Sequence, residues 1–257
     1  DRQLANISYL GVDLNSKAQI KQACLKADTV FLLTATAPNQ VEIEMNIING
    51  AKEAGVKRIV KLSSPVVTLP AKVVVSDWHR QIEEHLDKSE LDYCCLRPHA
   101  FMQNWERNTF TIQRFGKIYG AMGDAPRNYV DCRDVAEIAV NKLLSEHNLN
   151  KEFIAISGPE SITYKDFAER LSYVANHKIK YINITQKELF DMLTKRAKLP
   201  NWLANHIVEL DDLAIKNPEP KDDTIEKILN RKPRMINAYL QESKQLFIKK
   251  PLWKFWD

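Results

Sequence analysis

The chain has 257 residues, of which 44% are hydrophobic and 27% are charged, and its formal net charge is +4. This composition is typical of a globular protein. The charge is too small to indicate nucleic-acid binding by itself, and no run approaches the roughly 18 apolar residues of a membrane-spanning helix. We therefore expect a protein that binds neither nucleic acid nor a membrane.

Four cysteines are present: Cys24, Cys94, Cys95 and Cys132. Cys94 and Cys95 are neighbours in an apolar run, and side chains of neighbours on a strand point to opposite faces, so no disulfide is expected between them. No cysteine or histidine spacing typical of a zinc site occurs. We expect four reduced thiols, no metal and a cytoplasmic location, and no signal peptide is recognised.

Short apolar runs alternate with segments of helical periodicity in the first half of the chain. Residues 28–34, 56–64 and 91–98 predict buried strands, and residues 40–55 and 76–89 predict the helices between them. Alternation at this spacing is typical of βαβ units with a parallel sheet.

Local signals mark the ends of the two helices. Gly55 is expected to cap the first helix at its C-terminus, and Ser76 is expected to begin the second. In the second helix Trp78, Ile82 and Leu86 form one apolar stripe.

The second half of the chain changes character. Residues 129–144 predict a strand followed by a helix that Asp131 or Arg133 begins, and residues 152–175 predict a strand, a turn and a helix capped by Thr163. After a strand at 179–185 the chain is expected to be helical, with breaks at its prolines. The fold class is therefore α/β, a parallel sheet with helices on both faces plus a smaller, mostly helical C-terminal lobe. We place the two interleaved domains at residues 1–150 and 151–257.

Parallel sheets bind ligands at the carboxyl ends of their strands. The side chains that follow the predicted strands are the first candidates for a site. They are Asp13, Thr34, Ala35, Thr36, Ser63, Ser64 and the segment Pro98–Phe101.

Seven short motifs, in this order, resemble the NmrA-like branch of the atypical short-chain dehydrogenases/reductases, which includes quinone reductases. They are G-V-D-L (Gly11–Leu14), V-F-L-L-T (Val30–Thr34), V-K-R-I-V-K-L-S-S (Val56–Ser64), W-H-R-Q-I-E (Trp78–Glu83), L-R-P-H-A-F-M-Q-N (Leu96–Asn104), Y-V-D-C-R-D-V-A (Tyr129–Ala136) and I-S-G-P-E-S-I-T-Y (Ile156–Tyr164). The resemblance implies a Rossmann-like fold that binds NADP or NAD, with NADPH slightly favoured.

The resemblance also implies a glycine-rich β-α-β part before G-V-D-L, and this sequence does not contain it. We expect the chain to be a fragment of a longer enzyme; a cofactor-free relative is the alternative. Without that part, the strand at 28–34 should be left as an apolar edge, and the strand at 6–10 should lack its partner. The glycines 116, 120 and 123 copy the spacing of a phosphate loop but lie outside a strand–helix context, so we do not expect them to bind phosphates.

The resemblance assigns cofactor contacts to the first strand ends. Asp13 is implied to accept a hydrogen bond from the adenine amino group, and Thr34, Ala35 and Thr36 are implied to lie under the adenosine ribose and phosphates. The alternatives are a helix cap, for which Asn15 and Ser16 are better placed than Asp13, and an ordinary strand-to-helix turn.

Ser63, Ser64 and His79 are the candidate catalytic residues. The fold places the serines beside the nicotinamide, where a hydroxyl could polarise a carbonyl substrate. His79 stands where the family's usual Tyr-x-x-x-Lys has its lysine, and Val75 stands where that motif has its tyrosine. Glu83, one turn later, could orient the imidazole. The alternative for His79 is a solvated helix face.

The loop after residue 98 is implied to frame the nicotinamide and the substrate. Pro98 and Phe101 are assigned to the cofactor, and His99, Phe101, Met102 and Asn104 to the substrate pocket, with an apolar floor for a planar substrate. The alternative for Phe101 is plain core.

These residues together predict an NAD(P)H-dependent oxidoreductase that transfers hydride to a small electrophile such as a quinone. The alternative is a non-enzymatic dinucleotide sensor that binds a partner protein, which the absence of Tyr-x-x-x-Lys also fits. We expect a small-molecule substrate and either a monomer or a homodimer.

Overall fold

The computed structural model describes residues 7–69 and 73–249. These residues divide into two compact units, each built from separate stretches of the chain. Unit 1 contains residues 7–63, 75–96 and 139–153 of the described chain, and unit 2 contains residues 64–69, 73–74, 97–138 and 154–249.

Strands and helices alternate through both units. The strands are β1 (Thr29–Leu32), β2 (Arg58–Leu62), β3 (Asp92–Pro98), β4 (Ala100–Phe101), β5 (Lys117–Gly120), β6 (Arg127–Val130), β7 (Glu152–Ile156), β8 (Ser161–Ile162) and β9 (Lys180–Asn183). The helices are α1 (Lys17–Cys24), α2 (Gln40–Glu53), α3 (Val74–Asp87), α4 (Thr109–Phe115), α5 (Cys132–Leu143), α6 (Tyr164–Ala175), α7 (Gln186–Asp191), α8 (Asn201–Lys216), α9 (Thr224–Leu229) and α10 (Ile236–Ser243).

The main sheet has the strand order β1-β2-β3-β7. β1 pairs with β2 and β2 with β3, both parallel, and Val60 on β2 lies opposite Phe31 and Cys94. The three predicted strands and the parallel sheet are thus confirmed. Within the described residues β1 is an edge strand, and Phe31 and Leu33 are 41% and 57% exposed. The predicted apolar edge is therefore present. Of the strand predicted at 6–10, residue 6 lies outside the described residues, and residues 7–10 form no strand.

α2 and α3 bury their apolar faces in one core with β1, β2 and β3, in which Ile48, Ile59 and Ile82 are fully buried. α2 ends as predicted, because Gly55 adopts φ +86° and Val56 N–H donates to the Ala51 carbonyl at 3.0 Å. The prediction that Ser76 begins α3 is wrong. The helix starts two residues earlier, at Val74, where burial of Val75 stabilises the first turn, and Ser76 is buried inside the helix.

Unit 2 has two smaller sheets, β4-β6-β8 and β5-β9. Its core is built around Trp105, whose ring stacks on Phe167 with centroids 3.6 Å apart. Ile236 and Leu240 of α10 are buried in the same core.

The predicted caps and breaks of unit 2 are confirmed. Asp131 precedes α5 and accepts from the Arg133 N–H at 2.9 Å, and Thr163 forms a capping box with Asp166. After α7 the helices break at the prolines: α8 begins directly after Pro200. The glycines 116, 120 and 123 follow the order helix then strand, the reverse of a phosphate loop, since Gly116 ends α4. No helix in the part of the chain that the structure describes could cross a membrane.

Candidate active site

Unit 1 contains a buried charged pair at the centre of its sheet. Lys61 on β2 is 0% exposed, and its Nζ donates to Glu44 Oε2 on α2 at 2.5 Å and to the Leu62 carbonyl at 3.0 Å. Burying two charges is costly unless their hydrogen bonds are satisfied. Glu44 Oε1 meets this requirement, because it accepts from Thr34 Oγ1 at 2.7 Å and from Gln40 Nε2 at 2.9 Å.

His79 lies at the other end of this pair. Its Nδ1 is 3.4 Å from Lys61 Nζ. A continuous polar network therefore runs from Thr34 at the end of β1, through Glu44 and Lys61, to His79 on α3. We call Thr34, Glu44, Lys61 and His79 the Lys61 network.

Ser63, which follows β2, is hydrogen-bonded to α3. Its Oγ donates to Glu83 Oε1 at 2.6 Å, and both residues are 6% exposed. A serine hydroxyl has a single proton to donate. While Ser63 donates to Glu83 it cannot polarise a substrate carbonyl, so its position ties β2 to α3.

Asp13 is exposed in the loop before α1. Its Oδ1 accepts from Asn15 N–H at 3.0 Å, which forms an Asx turn. α1 is capped instead by Ser16, whose Oγ accepts from Gln19 N–H at 3.4 Å. Asp13 is therefore not the cap of this helix. Ala35 and Thr36 follow β1 and are also exposed.

Unit 2 holds a cavity of about 210 Å³, and His99 lines it directly after β3. The lining is mostly apolar and comes from the segment after β2, from α8 and from the proline-rich loop after α8. Its apolar residues are Pro65, Val66, Leu69, Ala155, Leu210, Leu213, Ala214, Pro218 and Pro220. Few polar side chains join them, the charged or titratable ones being Arg97, His99, Arg127 and Glu219.

Charged and titratable side chains cluster at this cavity. Arg127 Nη1 donates to Asp211 Oδ1 at 3.0 Å, and Glu219 Oε1 lies 3.5 Å from both Arg127 Nε and His99 Nδ1. Glu219 Oε2 accepts from the Asn128 N–H at 2.7 Å. Burial opposes ionisation of Glu219, but the nearby His99 ring, the charge of Arg127 and the hydrogen bond from the Asn128 N–H outweigh it and lower its pKa. Burial raises the pKa of Asp211, and Arg127 opposes this shift.

The other predicted residues of unit 2 occupy different positions. Ser64 accepts from Val66 N–H at 3.4 Å and caps the short 3-10 segment that lines the cavity. Pro98 ends β3, and Phe101, on β4, is partly buried. Met102 is fully buried in the core beside Trp105, because the 3-10 segment that follows β4 turns it inward. Within the part of the chain that the structure describes, Phe101, Met102 and Asn104 are not among the residues that line the cavity.

Sequence reasoning missed the centres of both polar groups. Lys61 had one visible signal, a lysine between apolar residues of a strand, in I-V-K-L of β2. Glu219 stands between two prolines, and Arg127 precedes the Y-V-D motif, but neither pattern by itself indicates a site. Asn128 and Glu219 are 91 residues apart, and only the fold brings them together.

A sequence profile of the NmrA-like family matches residues 2–240. The chain belongs to the NmrA-like family. The resemblance predicted from the seven motifs is confirmed. Curated relatives of this NmrA-like chain include the NAD(P)H azoreductase of Xenophilus azovorans, 27% identical over 233 residues that cover 88% of this chain and 79% of the relative. Another is the agroclavine dehydrogenase of Claviceps fusiformis, 27% identical over 240 residues, covering 91% and 81%.

Solved structures give the same fold. The NADPH-dependent quinone oxidoreductase of Escherichia coli, solved with NADPH, superposes with a TM-score of 0.81 at 21% identity, covering 90% of this chain and 81% of that one. The negative transcriptional regulator NmrA in complex with NAD has a TM-score of 0.75 at 13% identity, covering 95% and 83%. These structures confirm the Rossmann-like α/β class. Because they include both a reductase and a regulator, the fold does not select between the two predicted functions.

Proposed function

We propose that this NmrA-like protein is an NAD(P)H-dependent oxidoreductase that reduces a small electrophile such as a quinone. The observation that supports this most directly is the cavity of unit 2. It is small, about 210 Å³, and mostly apolar, with a few polar groups among its lining residues. Drug-sized ligands usually occupy roughly 300–1,000 Å³. This cavity therefore suits a compact, planar molecule with one or two polar oxygens.

The strand ends of unit 1 fit part of a dinucleotide. Asp13 offers a carboxylate, and Ala35 and Thr36 are small, exposed residues at the carboxyl end of β1, where nucleotides approach the backbone in such sheets. These residues would hold the adenosine part. Among residues 7–69 and 73–249, no glycine lies between a strand end and a helix start, so the described chain shows no phosphate loop. We assign no step to pyrophosphate contacts.

Bound NAD(P)H supplies the hydride in this proposal. The chain's own residues position the reactants and manage one proton. His79 faces the dinucleotide. Ser64 adjoins the cavity at Pro65 without lining it, so the proposal gives it no contact with the substrate. His99 delivers a proton to the reduced substrate in the cavity, and Glu219, 3.5 Å from His99 Nδ1, stabilises the protonated imidazole.

The test is turnover. Purified protein from the complete open reading frame is mixed with NADPH or NADH and a panel of quinones, azo compounds and aldehydes, and loss of the reduced nicotinamide is followed. Consumption that needs both protein and acceptor supports the proposal. Calorimetric binding of either dinucleotide without consumption over the whole panel would favour a sensor.

The sensor remains the second candidate because the chain has no Tyr-x-x-x-Lys and a regulator shares its fold. In that case the cavity would bind no acceptor. The protein would bind a partner protein in a way that depends on the oxidation state of the dinucleotide. The oligomeric state, monomer or homodimer, remains a prediction. The cytoplasmic location, with which four free thiols are consistent, also remains a prediction.

A further inference from the structure

In the Lys61 network the lysine contacts His79 in addition to its charged partner Glu44, and the pairing of two charges does not require that third contact. A lysine ammonium has three N–H donors and no acceptor. Around Lys61 Nζ lie three groups with lone pairs: Glu44 Oε2 at 2.5 Å, the Leu62 carbonyl at 3.0 Å and His79 Nδ1 at 3.4 Å. Each donor therefore has one acceptor, provided that Nδ1 of His79 carries no proton.

We propose that Lys61 is a positioning residue that holds His79 as the neutral tautomer with its proton on Nε2. The Nε2–H then donates a hydrogen bond to an oxygen of the bound dinucleotide. The tautomer follows from unit 1 alone, whereas the role of Nε2 rests on the proposed function.

The tautomer follows from the charge and burial of Lys61. Glu44 is 1% exposed and Lys61 is 0% exposed, so the ammonium cannot turn towards water. A proton on Nδ1 would place two N–H groups against each other and leave one lysine donor without an acceptor. A doubly protonated ring would place a second positive charge beside the ammonium. Only the ring with its proton on Nε2 accepts at Nδ1.

The network also fixes where the ammonium lies. Thr34 Oγ1 and Gln40 Nε2 both donate to the other oxygen of Glu44, so the carboxylate is held from the loop after β1 and from α2. Lys61 is held in turn from its own strand by the Leu62 carbonyl. The imidazole on α3 thus receives its hydrogen bond from a donor that three elements of unit 1 immobilise.

Stability alone does not explain the pair. Replacing a buried ion pair by apolar residues of similar size is often neutral or stabilising. A lysine that only needed a charged partner would have one in Glu44. The third donor, directed at a histidine in the family's catalytic region, is the part that a positioning role explains.

The first measurement is ¹⁵N NMR of the histidine rings at neutral pH in the free protein. The chain has six histidines, and the His79→Asn variant identifies the signals of His79. We expect an unprotonated Nδ1 and a protonated Nε2. A protonated Nδ1, or a doubly protonated ring, overturns the proposal without any further variant.

The second measurement uses Lys61→Met combined with Glu44→Gln, which removes both charges together so that neither is left buried alone. The fixed tautomer should be lost, and NADPH affinity measured by calorimetry should fall about tenfold, the value of one hydrogen bond. Lys61→Gln with Glu44→Gln is the substitute if the first protein does not fold. Lys57→Met, which removes an exposed lysine paired with Asp28, is the matched control and should change neither reading.

The outcomes separate the two proposals. Loss of the tautomer in the variant, together with failure of the wild type to bind any dinucleotide, would retain the positioning role and reject the proposed function. An unchanged His79 spectrum in the folded variant would reject Lys61 as its cause. Turnover with an unchanged spectrum would reject only the inference drawn from Lys61.

Discussion

The buried carboxylate of Asp134 anchors the C-terminal segment of unit 2, and its removal should measurably destabilise the protein. Asp134 is 0% exposed at the start of α5. It accepts from Arg231 Nη2 at 2.7 Å, from the Arg234 N–H at 2.8 Å and from Arg234 Nη1. Replacement by alanine breaks all three bonds and loosens the segment that leads into α10.

The magnitude follows from burial on the two sides of the contact. Hydrogen bonds to charged groups contribute about 1.5–3 kcal/mol each, which would give roughly 5–9 kcal/mol for three. However, the two arginine side chains are 33% and 30% exposed and keep Glu137 as a partner, so they can rehydrate. We therefore expect Asp134→Ala to lower the free energy of unfolding by about 2–3 kcal/mol, which at 2–4 °C per kcal/mol is a fall in Tm of roughly 4–12 °C.

The assay is thermal denaturation followed by circular dichroism at neutral pH. The control is Asp223→Ala, which removes an exposed i,i+4 pair with Lys227 and should leave Tm nearly unchanged. If Asp134→Ala melts within about 1 °C of the wild type, the C-terminal segment does not depend on this carboxylate and the reasoning fails. Asp134→Asn should be intermediate, because the amide still accepts one hydrogen bond but carries no charge.

Three further results are expected, two of them from the cavity. Ala214→Leu fills the cavity and should raise KM for the acceptor at least tenfold while leaving the Kd of NADPH unchanged, with exposed Ala18→Leu as the control; equal effects on both constants would contradict this assignment. His99→Asn should lower kcat by about 10²-fold or more, as loss of a proton donor does, whereas exposed His147→Asn should not; an unchanged kcat would remove His99 from the reaction. Burial, assisted by the charges of Arg127 and Arg107, lowers the pKa of His206 to about 4. Because the unfolded ring takes up its proton near pH 6.5, this contribution to stability is complete above pH 6.5 and is lost as the pH falls to 4, by up to about 3 kcal/mol relative to His206→Gln. Parallel pH–stability curves for the two proteins would refute it.

The periodic elements were predictable because their pattern is local. β1, β2 and β3 are apolar runs, and α2 has a periodic apolar face and a glycine just past its end. α3 shows the limit of this reasoning. Ser76 is a good cap residue in isolation, but burial of Val73 and Val75 extends the helix past it. Tertiary packing thus overrode a local preference worth about 1 kcal/mol.

Some candidate site residues could be predicted from the sequence, whereas the buried ion pair at the centre of the Lys61 network could not. The rule that ligands bind at strand ends selected Thr34, the family resemblance selected His79, and the structure joins both through the Lys61 network. The burial of Lys61 and Glu44 was not predicted, because helical and strand periodicity assigns charged residues to the surface. Their burial depends on each other, and they come from different elements.

In both units the buried charges lie beside residues that the family resemblance had already assigned to catalysis or binding. In unit 1 the ion pair of Lys61 and Glu44 adjoins His79, and in unit 2 the pair of Arg127 and Asp211 is joined through Glu219 to His99. A fold selected for stability alone gains little from such pairs, since apolar side chains of the same volume would serve as well. In each unit a charged group instead lies beside Nδ1 of the neighbouring histidine. The Lys61 ammonium lies 3.4 Å from Nδ1 of His79, whereas the Glu219 carboxylate lies 3.5 Å from Nδ1 of His99. In the proposed function the two histidines therefore have opposite tasks, His79 to donate a fixed hydrogen bond to the dinucleotide and His99 to deliver a proton to the substrate.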